Sequence, residues 1–332
     1  MTLTRFCFVM LMMTTQLSAE ETPWQSPDAL IDGTVRAVAY SGFREGQYPD
    51  RGHGANNPSR EEILEDLQIL VDNELTLVRM YDSGENTETT LELIREHNLP
   101  IRMLLGIWLR AEISNHENCP WLDEPIHETE LEANKILNAA EITRGIHLAQ
   151  EYDDIVVSIN VGNEALVEWN DHMVPVETVI EYIKRVQAAV DVPVSTADNY
   201  DWWASSGHEL AEIVDYIGVH TYPAWEGKSI DEAMPYTIEN MARVRDELGK
   251  PMAILEAGWA TTADEFGDRA NETDQLRYFD ELMAWGAQHN VTVFFFEAFD
   301  EPWKGNPNAP NGAEKHWGLW FVDRSPKDVM DR

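Results

Sequence analysis

A chain of 332 residues, 43% of them hydrophobic and without a long low-complexity tract, can bury one large core. Lys and Arg number 24 against 60 Asp and Glu, a formal charge of −36, and the sequence pI is near 4.4. That balance repels phosphate backbones and anionic membranes, so no nucleic-acid or membrane partner is expected, and it suits either a neutral or cationic ligand or a surface kept soluble in salt.

The first nineteen residues hold one charged side chain, Arg5, before an apolar run from Phe6 to Met13 and small residues at Ser18 and Ala19. The pattern predicts a secretory signal peptide over 1–19, too short to span a bilayer, ahead of a secreted or periplasmic domain over 20–332. Leu17 is larger than the residue usually found at the −3 position of such a cut. Cleavage there removes Cys7 and leaves Cys119 alone, which predicts no intramolecular disulfide and an inert thiol.

Val35 to Tyr40 reads as a first strand. The Gly- and Pro-rich loop after it is longer than a β-to-α connection needs, which makes it a candidate wall of a site. Ser59 and Glu62 have capping-box spacing, and Ile63, Leu67, Leu70 and Val71 form the stripe of the helix they start. Leu77 to Met80 is a second strand carrying Arg79, a guanidinium that burial must pair either with a structural acid or with an acid of the site. A short helix over 89–97, a third strand from Ile101 to Ile107 ending at Trp108, a polar segment over 109–128 and a long helix to Gln150 follow.

Ile155 to Glu164, I-V-V-S-I-N-V-G-N-E, reads as a strand covered on both faces with an amide and a carboxylate at its end. The alternative makes Asn163 a helix N-cap with Glu164 in the first turn. A helix with Val179, Ile183, Val186 and Val190 leads to a fifth strand, Val194 to Ala197, with Trp202 and Trp203 on the loop beyond. A sixth strand is expected over Ile213 to Val219, ahead of His220-Thr221-Tyr222-Pro223 and Trp225. Met234, Ile238, Met241, Arg245 and Leu248 mark the next helix; strand seven runs from Pro251 to Glu256. A helix with Leu276, Phe279 and Met283 precedes strand eight, Val291 to Phe296. Eight strands alternating with helices predict an α/β chain folded as a single (β/α)8 TIM barrel with long loops at the C-terminal face of the strands.

Glu164 after strand four and Glu256 after strand seven then face one another across the barrel mouth. Two carboxylates with little else between them suit a glycosidase, one as proton donor and one as nucleophile. Glu256 ends an apolar strand, where burial raises a carboxyl pKa unless a cation opposes it, and Arg79 is the candidate cation. Ten histidines show no ligand spacing and no Gly-rich phosphate loop is present, so neither metal nor cofactor is expected.

Five motifs occur in order: Arg79 to Asp82 (R-x-Y-D), Val161 to Glu164 (V-G-N-E), Glu256 to Trp259 (E-x-G-W), Asp300 to Lys304 (D-E-x-x-K) and the segment Gly318 to Lys327. Together they resemble glycoside hydrolase family 17, the β-1,3-glucanases. The resemblance implies Glu164 as acid/base, Glu256 as nucleophile and retaining cleavage of a laminarin-like glucan. It further implies Asn163 on the sugar 2-hydroxyl, Tyr222 donating to the nucleophile, and Glu301 and Lys304 as hydrogen bonders or an ion pair beneath the sugar. A helix cap at Asn163 and a turn-shaping Tyr222-Pro223 pair are the plainer readings. Leu255 stands where plant members carry serine, and Ala260-Thr261 where they carry proline-serine; this looks bacterial or fungal and leaves endo or exo action open.

Tyr40, Trp108, Trp202, Trp203, Trp225, Trp259 and Trp303 fall at or just past strand ends, where rings either stack on pyranoses or pack the core. The expected partner is a neutral β-glucan, bound by a monomer. Rival readings are a β-1,3-glucan transglycosylase, a barrel enzyme of other linkage such as a β-1,4-glucanase or β-mannanase, and a non-catalytic glucan-binding protein. Because salt screens the repulsion among 60 carboxylates, activity should persist in molar NaCl. Sharp inactivation between dilute buffer and seawater ionic strength, followed by reducing-sugar release, would count against that expectation.

Overall fold

Short apolar strands and amphipathic helices alternate along the chain and close on themselves, as the computed structural model shows for residues 35–332. The strands are β1 (Ala37–Ala39), β2 (Leu77–Arg79), β3 (Arg102–Ile107) and β4 (Val156–Asn163). They continue with β5 (Val194–Asn199), β6 (Ile217–His220), β7 (Met252–Ala257) and β8 (Val293–Phe295). All pair parallel in chain order, and β1 closes the barrel on β8. The expected signal peptide lies outside the described residues.

The helices are α1 (Arg60–Asp72), α2 (Glu85–Glu96), α3 (Glu128–Glu151) and α4 (Val176–Gln187). After them come α5 (Tyr200–Ser206), α6 (His208–Ala211), α7 (Ile230–Leu248) and α8 (Glu272–His289). The Ser59–Glu62 capping box opens α1, and Ile63, Leu67 and Leu70 are buried on it. Inside the barrel, Leu77, Leu104, Leu255, Phe294 and Tyr216 pack with small Ala37, Ala197 and Ala253. The larger cluster lies between strands and helices.

Two expectations are corrected. Strand six starts at Ile217, not Ile213, because the chain leaving α6 turns once more, with the Ile213 and Val214 amides donating to the Leu210 carbonyl. Trp202 and Trp203 lie on α5 rather than a loop; Asn199 caps that helix by accepting from the Asp201 amide.

The closing motif is a clasp. Arg324 donates to both carboxylate oxygens of Asp66 on α1, at 2.7 and 2.6 Å, and Lys327 reaches Asp300 and the Thr261 hydroxyl, both at 2.7 Å. Asp66 and Lys327 are wholly buried. Removing one partner of a buried pair strands the other, so Asp66→Ala should cost about 3–5 kcal/mol in urea unfolding. A loss well under 1 kcal/mol would show that the clasp does not secure the C-terminal segment.

Candidate active site

The strands that carry the two acids are bulged where they end. β4 slips against β5 between Asn160 and Asn163, and β7 slips against β6 and against β8 around Glu256. Such bulges re-aim side chains, here from the alternating strand pattern toward the mouth. Gly162 takes φ +83°, a conformation open to glycine, and Glu164 itself takes φ +48° with its amide donating to the Ala197 carbonyl at 2.8 Å. A left-handed glutamate stores about 1–2 kcal/mol of strain, which the surrounding strands must hold.

Oxygens of Glu164 and Glu256 and Nδ1 of His220 all lie within 4.8 Å of one another. His220 Nδ1 is 2.9 Å from Glu164 Oε1 and 3.5 Å from Glu256 Oε2. Nδ1 therefore carries a proton, while Nε2 is buried without a partner. Asn170 Nδ2 donates to the other Glu164 oxygen at 3.3 Å.

Glu256 is 5% exposed and surrounded by donors. Arg79 Nη1 donates to Oε1 at 2.7 Å, Tyr81 to the same oxygen at 2.9 Å, and Tyr222 to Oε2 at 2.6 Å. Burial acts to raise its pKa, but the charges of His220 and Arg79 and the hydrogen bonds from Tyr222 and Arg79 outweigh it and hold the carboxyl at about 2. Burial and the Glu256 charge push both phenols well above the ordinary tyrosine value, so they stay protonated as donors. Arg79 thus takes the carboxylate of the site as its partner, and its Nη2 also donates to Asn163 Oδ1 at 2.5 Å. Asn163 is in β4 and caps no helix; its carbonyl accepts from His172, whose ring packs on Trp108.

The cleft above these groups holds about 1830 Å3. Trp108, Trp225 and Trp303 line it, as do Asp82 and Tyr222. Asp82 accepts from the Gly84 amide at 2.8 Å, and burial together with Glu141 raises its pKa. Tyr40 borders the cleft but is 1% exposed, its ring against Phe299 and its hydroxyl 3.4 Å from Asp66. Trp203 and Trp259 are fully buried, with indole N–H groups on the carbonyls of Gly218 and Arg269, and Trp202 packs edge-on against Trp203. Those three rings belong to the core side of the two readings. Lys304 is an ion-pair hub: it bonds Glu297 and lies 2.9 Å from Glu301, and these two acids raise its pKa against the effect of burial.

Tyr81, His220 and Glu314 were not singled out by the sequence. Tyr81 stands two residues past β2 and His220 is the last residue of β6, so the strand-end rule that selects Glu164 reaches them as well. Glu314 lies in the connection after β8, where no strand end flags it; it lines the cleft, and burial, with Glu164 and Glu256 adding to it and Lys304 opposing, raises its carboxyl to about 7.

A parallel barrel with two apposed carboxylates at its C-terminal mouth, one held ionised and the other joined to it through His220, is the arrangement of a glycoside-cleaving enzyme. The chain belongs to the BtgE/BtgC glycoside hydrolase domain family, which matches residues 37–318. It is 27% identical over 276 residues to a glucan 1,3-β-glucosidase of Arthroderma benhamiae, covering 77% of this chain and 80% of that one. A putative glucan endo-1,3-β-glucosidase, btgC, of Aspergillus niger is 28% identical over 295 residues, 81% of this chain but only 40% of its own length. The crystal structure of an endo-laminarinase from Formosa Hel1_33_131 superposes with a TM-score of 0.76 at 29% identity, covering 92% of this chain and 88% of that one.

Tyr222→Phe removes one charge-assisted donor from Glu256, worth about 1.5–3 kcal/mol, and so raises the carboxyl pKa. The acid limb of kcat/KM should move to higher pH and kcat should fall roughly tenfold or more. An acid limb that stays in place would mean that Tyr222 does not hold Glu256 ionised.

Proposed function

We propose that this protein is a retaining β-1,3-glucan hydrolase of family 17 type, with Glu256 as nucleophile and Glu164 as acid/base. The observation that carries the reading is the pair itself: oxygens within 4.8 Å of one another, with Glu256 held ionised by Arg79, Tyr81 and Tyr222. Retaining enzymes keep their carboxyls about 5–5.5 Å apart, whereas inverting ones leave room for a water at about 6.5–9.5 Å. In the first step a Glu256 oxygen bonds to the anomeric carbon as the glycosidic C–O bond breaks, and the proton of Glu164 passes to the leaving oxygen. In the second, Glu164 takes a proton from water, whose oxygen displaces Glu256. The β-1,3 linkage is supported by the named activities of the Arthroderma and Formosa relatives. Export is supported by the leader-like composition of residues 1–19.

A second reading gives the acid role to Glu314, favoured by a pKa raised to about 7 that would keep it protonated in use. Glu164 is preferred because it shares His220 with the nucleophile.

Azide rescue separates these roles. Glu164→Ala should slow hydrolysis of linear β-1,3-glucan by about 10²–10⁴-fold, spare substrates whose leaving group needs no proton, and with azide give the β-glycosyl azide. Glu256→Gly should give the α-azide, if rescued at all, and wild-type enzyme should release the β-anomer first by NMR. First release of the α-anomer would sink the two-step mechanism, and β-azide rescue in Glu314→Ala instead of Glu164→Ala would move the acid role. Products longer than the starting oligosaccharide at high acceptor concentration would mark transfer rather than hydrolysis, and activity confined to cellulose would remove the β-1,3 assignment.

A further inference from the structure

Arg51 stands in the sugar cleft as a cation with no carboxylate in direct contact, although the charges of Asp171, Asp82 and Glu301 act on it from farther away. It sits in the β1–α1 connection and lines the cavity, with its guanidinium carbon 4.0 Å above the ring of Trp108 and 5.4 Å from that of Trp303. Among the described residues, no acid lies within salt-bridge distance of it and no hydrogen-bond acceptor takes its N–H groups. The rings are therefore its contact partners, through cation–π attraction.

Its backbone is tied down. Asp50 Oδ1 accepts from the amides of Gly52 and Gly54 at 2.7 and 3.0 Å, and Asp50 Oδ2 is 3.3 Å from Arg110. Gly52 and Gly54 take φ +103° and +87°, conformations that favour glycine, so the turn curls around its own carboxylate and delivers Arg51 between the two rings. A pyranose stacks on tryptophan at the same van der Waals distance at which the guanidinium now lies. The two cannot share the Trp108 face.

We propose that Arg51 is a specificity-determining residue that blocks the aromatic platform of Trp108 and Trp303 and thereby ends the row of glucosyl sites on the β8–β1–β3 side of the cleft. The proposal rests on the β-1,3-glucan reading above. A chain reaching this end meets the guanidinium in place of an open ring, so the block sets how many units bind between that end and the catalytic pair. The glycines keep the turn tight enough to hold the plug, and the absence of an ion-pair partner leaves it removable by one substitution.

The test is the cleavage pattern of a graded series of linear β-1,3-glucosyl oligosaccharides with wild type, Arg51→Ala and the double variant Arg51→Ala/Trp303→Ala. Arg51→Ala should gain one site: kcat/KM for the longer members rises about tenfold relative to the shorter ones, and the preferred bond shifts by one unit. The double variant should lose that gain. A uniform fall across the series would show that Arg51 binds sugar directly, and an unchanged length dependence would show that it blocks nothing; either overturns the proposal. In the unliganded proteins, Arg51→Ala should also increase acrylamide quenching of tryptophan fluorescence, because two rings are uncovered. Unchanged quenching overturns the covering itself, whatever the substrate, whereas wild type failing on every oligosaccharide while quenching responds would fault the linkage reading alone.

Discussion

The contact on which the site depends is the buried pair of Arg79 and Glu256. Arg79 is wholly buried and its Nε has no partner, so desolvation is only partly offset. A pair of that kind is a poor way to stabilise a barrel, since well-packed apolar residues of equal volume often serve as well or better. Its effect is electrostatic. One Nη1 binds both the Glu256 carboxylate and the Leu255 carbonyl, which fixes the end of β7 against β2 and keeps a carboxylate charged where burial alone would protonate it.

The same environment sorts the other acids of the mouth. Glu256, with the His220 charge and three donors around it, is driven down to about 2; Glu314 is raised to about 7 by burial and by the charges of Glu164 and Glu256. Glu297 and Glu301 share Lys304, and Glu297, with one oxygen unpartnered, is raised well above its ordinary value by burial. Asp198 at the end of β5 is raised as well, by burial and by Glu164. Burial acts to raise the Glu256, Glu297, Asp198 and Glu314 carboxyls, and only at Glu256 do the neighbouring cations and donors outweigh it. The net charge of −36 is thus a statement about the surface more than about the cleft.

The barrel was legible because its strands are apolar runs that end in Gly, Pro or polar clusters, and the two acids were legible because they stand at such ends. Strand six was misplaced because Ile213 and Val214, apolar and β-branched, belong to the turn after α6 and not to the sheet. Trp259 shows the other limit. It lies in the same motif as Glu256, yet the β7 bulge that turns the acid toward the mouth leaves the indole buried against Tyr278. The Asp-Arg-Ser-Pro-Lys run of the closing motif reads as part of a catalytic signature, but Arg324 and Lys327 secure the C-terminal segment to α1 and to the β8 loop. Arg51 and Glu314 sit in connections, where periodicity carries no signal and only the folded chain brings them to the cleft.

One guanidinium also couples two tasks that the sequence presents separately. By donating to Asn163 Oδ1, Arg79 Nη2 fixes the orientation of the amide, since the carbonyl oxygen must face the cation. The Nδ2 group of Asn163 is then the part left to donate into the cleft, which is what a residue meeting a sugar hydroxyl requires. His172 holds the same residue by its backbone, and the His172 ring packs on Trp108, the platform beneath Arg51. Glu256, the Asn163 amide and the aromatic wall therefore form one connected set of contacts across β7, β2, β4 and β3. A displacement of Arg79 changes the charge state of Glu256 and the aim of Asn163 together, which explains why a costly buried cation is retained in a strand whose other residues are apolar.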